Sequence, residues 1–168
     1  MKADLFWISG PWRGRLAIAT RPRGGDWLDD EASAWRHADV DVIVSLLEKE
    51  EAGQLDLLRE RQASEEHALR FISFPIPDRG VPASLQEAVS LIGRITAQLN
   101  AGKNVAVHCR QGIGRSGLIA AGALIAAGTS PDEAMQIVSS ARGTAIPETA
   151  EQRRWTERLP SGLPVTRS

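Results

Sequence analysis

The sequence predicts an α/β fold: a mostly parallel central sheet of about five strands flanked by helices, with a phosphate-binding loop between a central strand and a buried helix. Three observations carry this expectation. Short apolar runs alternate with longer stretches of helical periodicity, the pattern of a parallel sheet covered on both faces. Leu118–Ala127 (LIAAGALIAA) is apolar all round, as a helix at the centre of a domain must be. Between that helix and the strand before it lies HCRQGIGRSG, residues 108–117, which holds the only cysteine of the chain.

The elements follow in order. Leu5–Ile8 and Leu16–Ala19 are apolar runs bounded by Gly and Pro, and read as strands joined by a turn at Ser9–Gly14. Trp27–Ala38 follows the loop PRGGD and reads as a helix with Asp26 at its N-cap. Val40–Leu47 (VDVIVSLL) is rich in β-branched residues and reads as a buried strand. Gln54–Ser64 reads as a charged helix with Leu55, Leu58 and Gln62 on one face. Leu69–Phe74 is another strand. Ser84-Leu85-Gln86-Glu87 fits a capping box, and Leu85, Val89, Ile92, Ile95 and Leu99 then recur at helical intervals up to a stop at Gly102. Asn104–Val107 is the strand that enters the loop. Ser130-Pro131-Asp132-Glu133 opens a helix with cap, proline and acids in their favoured places, and Ala134, Ile137, Val138 and Ala141 form its apolar stripe. Glu148–Leu159 is the last helix. Residues 1–159 are expected to form a single domain and residues 160–168 a flexible tail.

Composition narrows the class. A chain of 168 residues can bury a sizeable core, and its 42% hydrophobic and 24% charged content is that of a soluble protein. No apolar stretch approaches the ~20 residues that span a bilayer. The opening MKADLFWISGPW lacks the layout of a secretory leader. One cysteine excludes an internal disulfide, and a reactive thiol suits a reducing compartment, so a cytoplasmic location is expected. A net charge of −1 argues against a nucleic-acid or membrane-surface partner. Arg13, Arg15, Arg21 and Arg23 are a local exception, either a solvated edge or a positive rim that draws phosphorylated substrates. The three histidines, His37, His67 and His108, show no zinc-ligand spacing, so no metal or other cofactor is expected.

The chemistry sits in the loop. Its glycines allow backbone N–H groups to converge on an anion, and the helix that starts near Arg115 adds its positive end. Cations and helix N-termini can lower a cysteine pKa from about 8.5 to roughly 3.5–7.5, which makes Cys109 a candidate nucleophile. Arg115 has a planar fork suited to two phosphate oxygens. A lone cysteine is most often a buried, inert thiol. What argues otherwise is the set of His, Gly, Arg and Ser residues around this one.

HCxxGxGRSG resembles the signature of the cysteine-dependent protein tyrosine phosphatases, and in particular their compact dual-specificity branch. The resemblance runs from about Leu5 to Trp155, but only residues 108–117 are highly specific. It implies a dual-specificity phosphatase-like fold and a phosphomonoester hydrolase acting through a phosphocysteine on Cys109. It implies that Arg115 holds the phosphoryl group, that Arg110, Gln111, Gly112, Ile113 and Gly114 line its cradle, that Ser116 helps the thiolate leave, and that His108 holds the loop. Asp78, 31 residues before Cys109 in the proline-rich loop FPIPDRGVP, matches the family's general acid, with Arg79 placing it or touching substrate. Alone, a PDRG turn would say little. More weakly, Glu48 is a candidate anchor for the loop, Arg142 a brace behind it, and Gln152 a residue that orients the hydrolytic water; an exposed, solvated role is equally compatible with each.

The implied substrate is a phosphorylated protein or peptide, and a monomer is favoured. The chain has no tyrosine, hence no counterpart of the Tyr-bearing loop that deepens the tyrosine-specific sites. Lysines of the kind found in phosphoinositide-specific loops are also missing from 110–114, which disfavours a lipid or RNA 5′-phosphate substrate without removing it. A rhodanese-like sulfurtransferase and a catalytically silent phosphate-binding module are the remaining alternatives. Rhodanese loops are typically one residue shorter and need no Asp78, and a silent module would have lost Cys, Arg or Asp. Trp7, Trp12, Trp27, Trp35 and Trp155 read as core or lid residues, with Trp12 a candidate for the site entrance.

Overall fold

The computed structural model describes residues 4–159, so the expected tail lies outside the described residues. Its sheet has five strands: β1 (Leu5–Ile8), β2 (Leu16–Ala19), β3 (Val42–Ser45), β4 (Arg70–Ser73) and β5 (Val105–His108). Their spatial order is β1-β2-β5-β3-β4. Only the edge pair β1–β2 is antiparallel; β2–β5, β5–β3 and β3–β4 are parallel. Strand β5 fills the slot left between β2 and β3, with Ala19 and Ser45 both in register with His108. In an open α/β sheet such a slot creates a crevice beyond the carboxyl ends of the strands. HCRQGIGRSG emerges at that point.

The helices are α1 (Leu28–His37), α2 (Lys49–Gln54), α3 (Glu60–Glu66), α4 (Leu85–Asn100), α5 (Gly114–Ala126), α6 (Pro131–Arg142) and α7 (Ala150–Glu157). Alternation along the strands splits the core in two. Ile18, Val44, Val105 and Val107 face α4–α7, while Ala17, Ala19, Ile43 and Ala106 face Trp35 of α1 and Ala63 of α3. All thirteen residues of α5 are buried, as its unbroken apolar character requires. Its small residues let neighbours approach closely: a Cβ on Gly117 would lie 2.6 Å from Ile146 Cγ2. Ser84 and Ser130 cap α4 and α6 by accepting from the amides of Glu87 and Glu133 at 3.1 and 3.2 Å. Thr149 caps α7 in the same way, accepting from Gln152 N–H.

Two local expectations need correction. Asp26 does not cap α1; it lies inside a 3₁₀ turn, Gly25–Trp27, that precedes it. Gly25 N–H donates to Asp56 O at 2.9 Å, and this long-range bond draws the chain into the tighter turn. The helix expected over Gln54–Ser64 is helical only from Glu60: residues 55–59, where Asp56 has φ +57°, are non-helical and separate α3 from α2, which ends at Gln54. The break lets Leu57 reach a small cluster with Leu28 and Leu47. The buried face of α3 is therefore not the expected one: Leu58 is exposed, while Glu60 and Ser64 face inward.

Trp12, Trp35 and Trp155 are buried; Trp27 is exposed with Arg23 stacked on it. Trp12 belongs to the core and precedes β2, at the end of the sheet away from the crevice, so it does not line the entrance. No described helix is long and apolar enough to cross a membrane.

Candidate active site

The turn after β5 aims the thiol of Cys109 toward the first turn of α5. Gly112 has φ +72°, a conformation that favours glycine, and a Cβ there would lie 2.9 Å from Ala19 O of the adjacent strand. Ile113 leads into α5 at Gly114, and Ser116 falls within its first turn.

Cys109 is 3% exposed, and its Sγ lies 3.3 Å from Ser116 Oγ. Burial alone would push the thiol pKa up, and it is the largest single influence. The Ser116 hydroxyl and amide, the Arg115 charge and the Ile113 amide together outweigh it, so the pKa is lowered from its ordinary value of 9.0. A thiol in this place favours the thiolate, as a nucleophile requires.

Arg115 is the hub of the site. It is 2% exposed, and four of its five N–H donors are engaged. Nη1 and Nη2 donate to the two carboxylate oxygens of Glu51 at 2.6 and 2.9 Å. Nη1 also donates to Ile76 O at 2.9 Å, and Nη2 to Asp78 Oδ1 at 3.1 Å. The remaining donor, Nε–H, has no hydrogen-bond partner among the described residues. Arg115 thus ties together the phosphate loop, α2 and the loop after β4.

That last loop carries Asp78, which is half-exposed and in contact with the arginine. Arg79, at φ +60°, points instead toward Glu148, with Nη1 3.8 Å from Oε2. Gln152 is fully buried: its Nε2 donates to Gly80 O at 3.1 Å and its Oε1 accepts from Glu148 N–H at 3.0 Å. Arg142 donates from Nε to Gly112 O at 2.8 Å and from Nη2 to Gln111 O at 3.2 Å, with its guanidinium over the Phe6 ring. Arg142 thus engages two carbonyls of the loop.

Glu48 does not touch the phosphate loop's arginine. Its backbone N–H donates to Glu51 Oε1 at 3.1 Å, and Glu51, three residues on, supplies the carboxylate. A second unforeseen carboxylate, Glu60 of α3, accepts from His108 Nε2 at 2.6 Å. Both read in the sequence as members of charged surface runs. The one available signal was the partly apolar face that Leu57, Glu60 and Ser64 share.

The four arginines of residues 13–23 do not form one rim. Arg13 and Arg15 precede β2, at the end of the sheet opposite the loop, where Arg15 N–H donates to Asn104 Oδ1 and its guanidinium covers Trp7. Arg21 and Arg23 follow β2 on the crevice side, and Arg23 is paired with Glu31 at 3.0 Å. Among the described residues, no group of three His, Cys, Asp or Glu side chains converges as metal ligands do.

A family model of DSP-PTPase phosphatases of polymorphic toxin systems matches residues 18–129. The chain belongs to this family of cysteine-dependent, dual-specificity-like phosphatases, and it is a hydrolase of phosphate monoesters. Solved structures agree. Tk-PTP in its active form is 28% identical, with TM-score 0.76 over 92% of this chain and 95% of that one. Kinase associated phosphatase, with its catalytic cysteine replaced by serine, shares the fold at 17% identity, with TM-score 0.83 over 93% of each chain. A Cys-to-Ser form of Pseudomonas aeruginosa TpbA in complex with phosphotyrosine shares it at 14% identity, with TM-score 0.66 over 97% of this chain and 98% of that one. No curated protein matches the sequence.

Proposed function

We propose that the chain is a protein phosphatase of dual-specificity or tyrosine type, and that Cys109, Arg115, Asp78 and Ser116 carry out a two-step transfer. The observation behind this reading is that the loop holding Cys109 is tied to Asp78 through one guanidinium, Arg115, whose Nη2 donates to Asp78 Oδ1 at 3.1 Å. Nucleophile, phosphate holder and acid therefore meet at one side chain. The site accounts for the first step as follows. Two phosphoryl oxygens take the Nε–Nη2 edge of Arg115, the edge that carries its unpartnered N–H and the N–H held by Asp78. Binding thus displaces Asp78 toward the leaving oxygen. The thiolate forms the S–P bond, the P–O bond to the leaving group breaks, and Asp78, protonated, donates its proton to that oxygen.

In the second step water attacks phosphorus, Asp78 takes a proton from it, and the S–P bond breaks with its electron pair returning to sulfur. The Ser116 hydroxyl, 3.3 Å from Sγ, stabilises the departing thiolate. The amides of residues 110–114 complete the cradle. Gln152 holds the acid loop through Gly80 O, a contact that favours a loop-fixing role over the orientation of water. The chain has no tyrosine to build a deep slot, and TpbA, a protein of the same fold, binds phosphotyrosine. Phosphorylated peptides are therefore the substrates to test first, with phosphoinositides and RNA 5′-phosphates as counter-substrates, and a cytoplasmic, monomeric enzyme is the form expected.

The test is Cys109→Ser. Turnover of an aryl phosphate should vanish while phosphopeptide binding persists, because the loop amides and Arg115 remain. Residual turnover in a preparation free of other phosphatases would exclude a phosphocysteine. Thiosulfate-to-cyanide transfer by the unmodified chain would favour the sulfurtransferase reading instead.

A further inference from the structure

His108 and Cys109 are neighbours in sequence but face opposite sides of the sheet. The thiol joins the α5 side, while the imidazole enters the layer beneath α1 and α3. There it is wholly buried, with Trp35 of α1 stacked on it at a centroid distance of 6.0 Å and an interplanar angle of 27°. Its Nδ1 lies 3.2 Å from the backbone oxygen of Cys109, and its Nε2 lies 2.6 Å from Glu60 Oε2. Glu60 is itself only 3% exposed. A neutral imidazole has one N–H, yet both nitrogens of this ring face oxygen acceptors. A carboxylate can only accept, so in the 2.6 Å contact with Glu60 the proton sits on Nε2.

We propose that Glu60 is a positioning residue of the phosphatase site: its buried carboxylate fixes the His108 ring from the far face of the sheet and keeps it a cation directly behind Cys109. The inference rests on the reading of Cys109 as the nucleophile. Glu60 touches neither substrate nor thiol and acts only through His108. The charged groups facing the ring are Glu60 from α3 and, across the backbone, the Cys109 thiolate; Trp35 from α1 is uncharged. Burial opposes the cation, but the charge and hydrogen bond of Glu60, the Cys109 carbonyl and the thiolate outweigh it, so the His108 pKa is raised. The favour is mutual, since a cation stabilised by a thiolate stabilises the thiolate in return. Loss of Glu60 would leave the ring neutral, and the cation nearest Cys109 on that side would go with it.

The test combines wild type, Glu60→Gln, His108→Asn and the double variant. The pH midpoint of Cys109 alkylation by iodoacetate should rise by about one unit in Glu60→Gln, the low end of what a nearby opposite charge does to an ionising group. Below the wild-type midpoint, alkylation and kcat/KM for an aryl phosphate should both fall about tenfold, the factor that one pH unit represents. Well above both midpoints they should recover, which damage to the fold would not allow. In the His108→Asn background, Glu60→Gln should leave the midpoint unmoved. An unshifted midpoint in the single variant, or an equal shift in both backgrounds, overturns the proposal. If Glu60→Gln fails to fold, imidazole ¹⁵N NMR on the wild-type chain decides: His108 should carry protons on both nitrogens at neutral pH, and a bare Nε2 overturns the proposal. Alkylation and NMR do not depend on turnover. A wild-type chain with no phosphatase activity therefore refutes the reading of the site, whereas an active chain with an unshifted midpoint refutes the role of Glu60 alone.

Discussion

Glu51→Ala isolates the carboxylate that holds Arg115. In the native chain Glu51 receives two hydrogen bonds from Arg115, at 2.6 and 2.9 Å, and the guanidinium is 2% exposed. Removing one partner of a buried ion pair costs about 3–5 kcal/mol, because the remaining charge stays out of water without compensation. Ile76 O and Asp78 keep two of the four bonds, so the low end, about 3 kcal/mol, is expected. At about 2–4 °C per kcal/mol for a chain of this size, the melting temperature should fall by about 6–12 °C. Glu51→Gln keeps one acceptor and should fall less. Glu48→Gln, which removes no bond to Arg115, should melt near wild type. The effect must also depend on pH. Burial is the largest influence on the Glu51 carboxyl and pushes its pKa up. The hydrogen bond and charge of Arg115, the Glu48 amide and the charge of Arg110 outweigh it, and the pKa lies below its ordinary value of 4.5. A depressed carboxyl stabilises the fold fully above its unfolded pKa and loses that contribution as pH falls through the folded one. Wild type and variant should therefore differ most at neutral pH and converge below pH 4.5. Thermal melts by circular dichroism at neutral and acid pH measure both claims, and kcat/KM should drop with the loss of arginine geometry. Equal melting of Glu51→Ala and wild type at neutral pH would refute the clamp, as would an equal loss in Glu48→Gln.

Three further outcomes follow from the same geometry. Asp78→Asn should slow hydrolysis of alkyl phosphates by about 10²–10⁴, the usual worth of a positioned acid, and much less for aryl phosphates with good leaving groups; an unchanged alkaline limb of the pH–rate profile would remove Asp78 from the role. Turnover should survive EDTA, since each step is assigned to a side chain, and a requirement for an added divalent ion would point to different chemistry. Brief peroxide should inactivate the enzyme with oxygen added at Cys109, bound phosphate or vanadate should protect it, and thiols should restore activity only after short exposure, because this chain has no second cysteine to trap the sulfenic acid. Intact-protein mass spectrometry alongside activity checks this, and resistance with Cys109 unmodified would mean that the thiol is not activated.

The parts of the fold legible in the sequence were those in which a local rule and the tertiary environment agree. Strands β1 and β2 begin and end at the predicted residues, and α4 and α6 start at the serines whose side chains cap them. The all-apolar run became the buried helix α5 for the same reason: no solvated face is available to it. Where a distant contact decides, the sequence was silent. Nothing local shows that Gly25 N–H will bond Asp56 O, or that Leu57 must turn inward to meet Leu28 and Leu47. Those contacts leave residues 55–59 outside any helix and move the start of α1. The arginines of residues 13–23 are a further instance. They are close in sequence, but β2 runs between Arg15 and Arg21 and carries them to opposite ends of the sheet.

The site divides along the same line, and the division explains why two buried glutamates carry no local signal. The phosphate loop is local: ten consecutive residues contain Cys109, Arg115 and Ser116, so spacing alone exposes them. Its support is not local. Glu51 and Glu60 both lie in the connection between β3 and β4, 64 and 48 residues from the groups they bind. Glu51 reaches Arg115 beside the crevice, and Glu60 reaches His108 on the far face of β5. The break between α2 and α3 makes this possible, since one continuous helix over these residues would place both carboxylates on a single rigid axis. The break is thus tied both to the burial of Leu57 and to delivery of one carboxylate to each side of the loop. A charged segment such as EKEEAGQLDLLRERQ reads as solvated because most of its charges are. Burial of Glu51 and Glu60 is tolerable only because each meets a cation that the phosphate loop must itself keep buried.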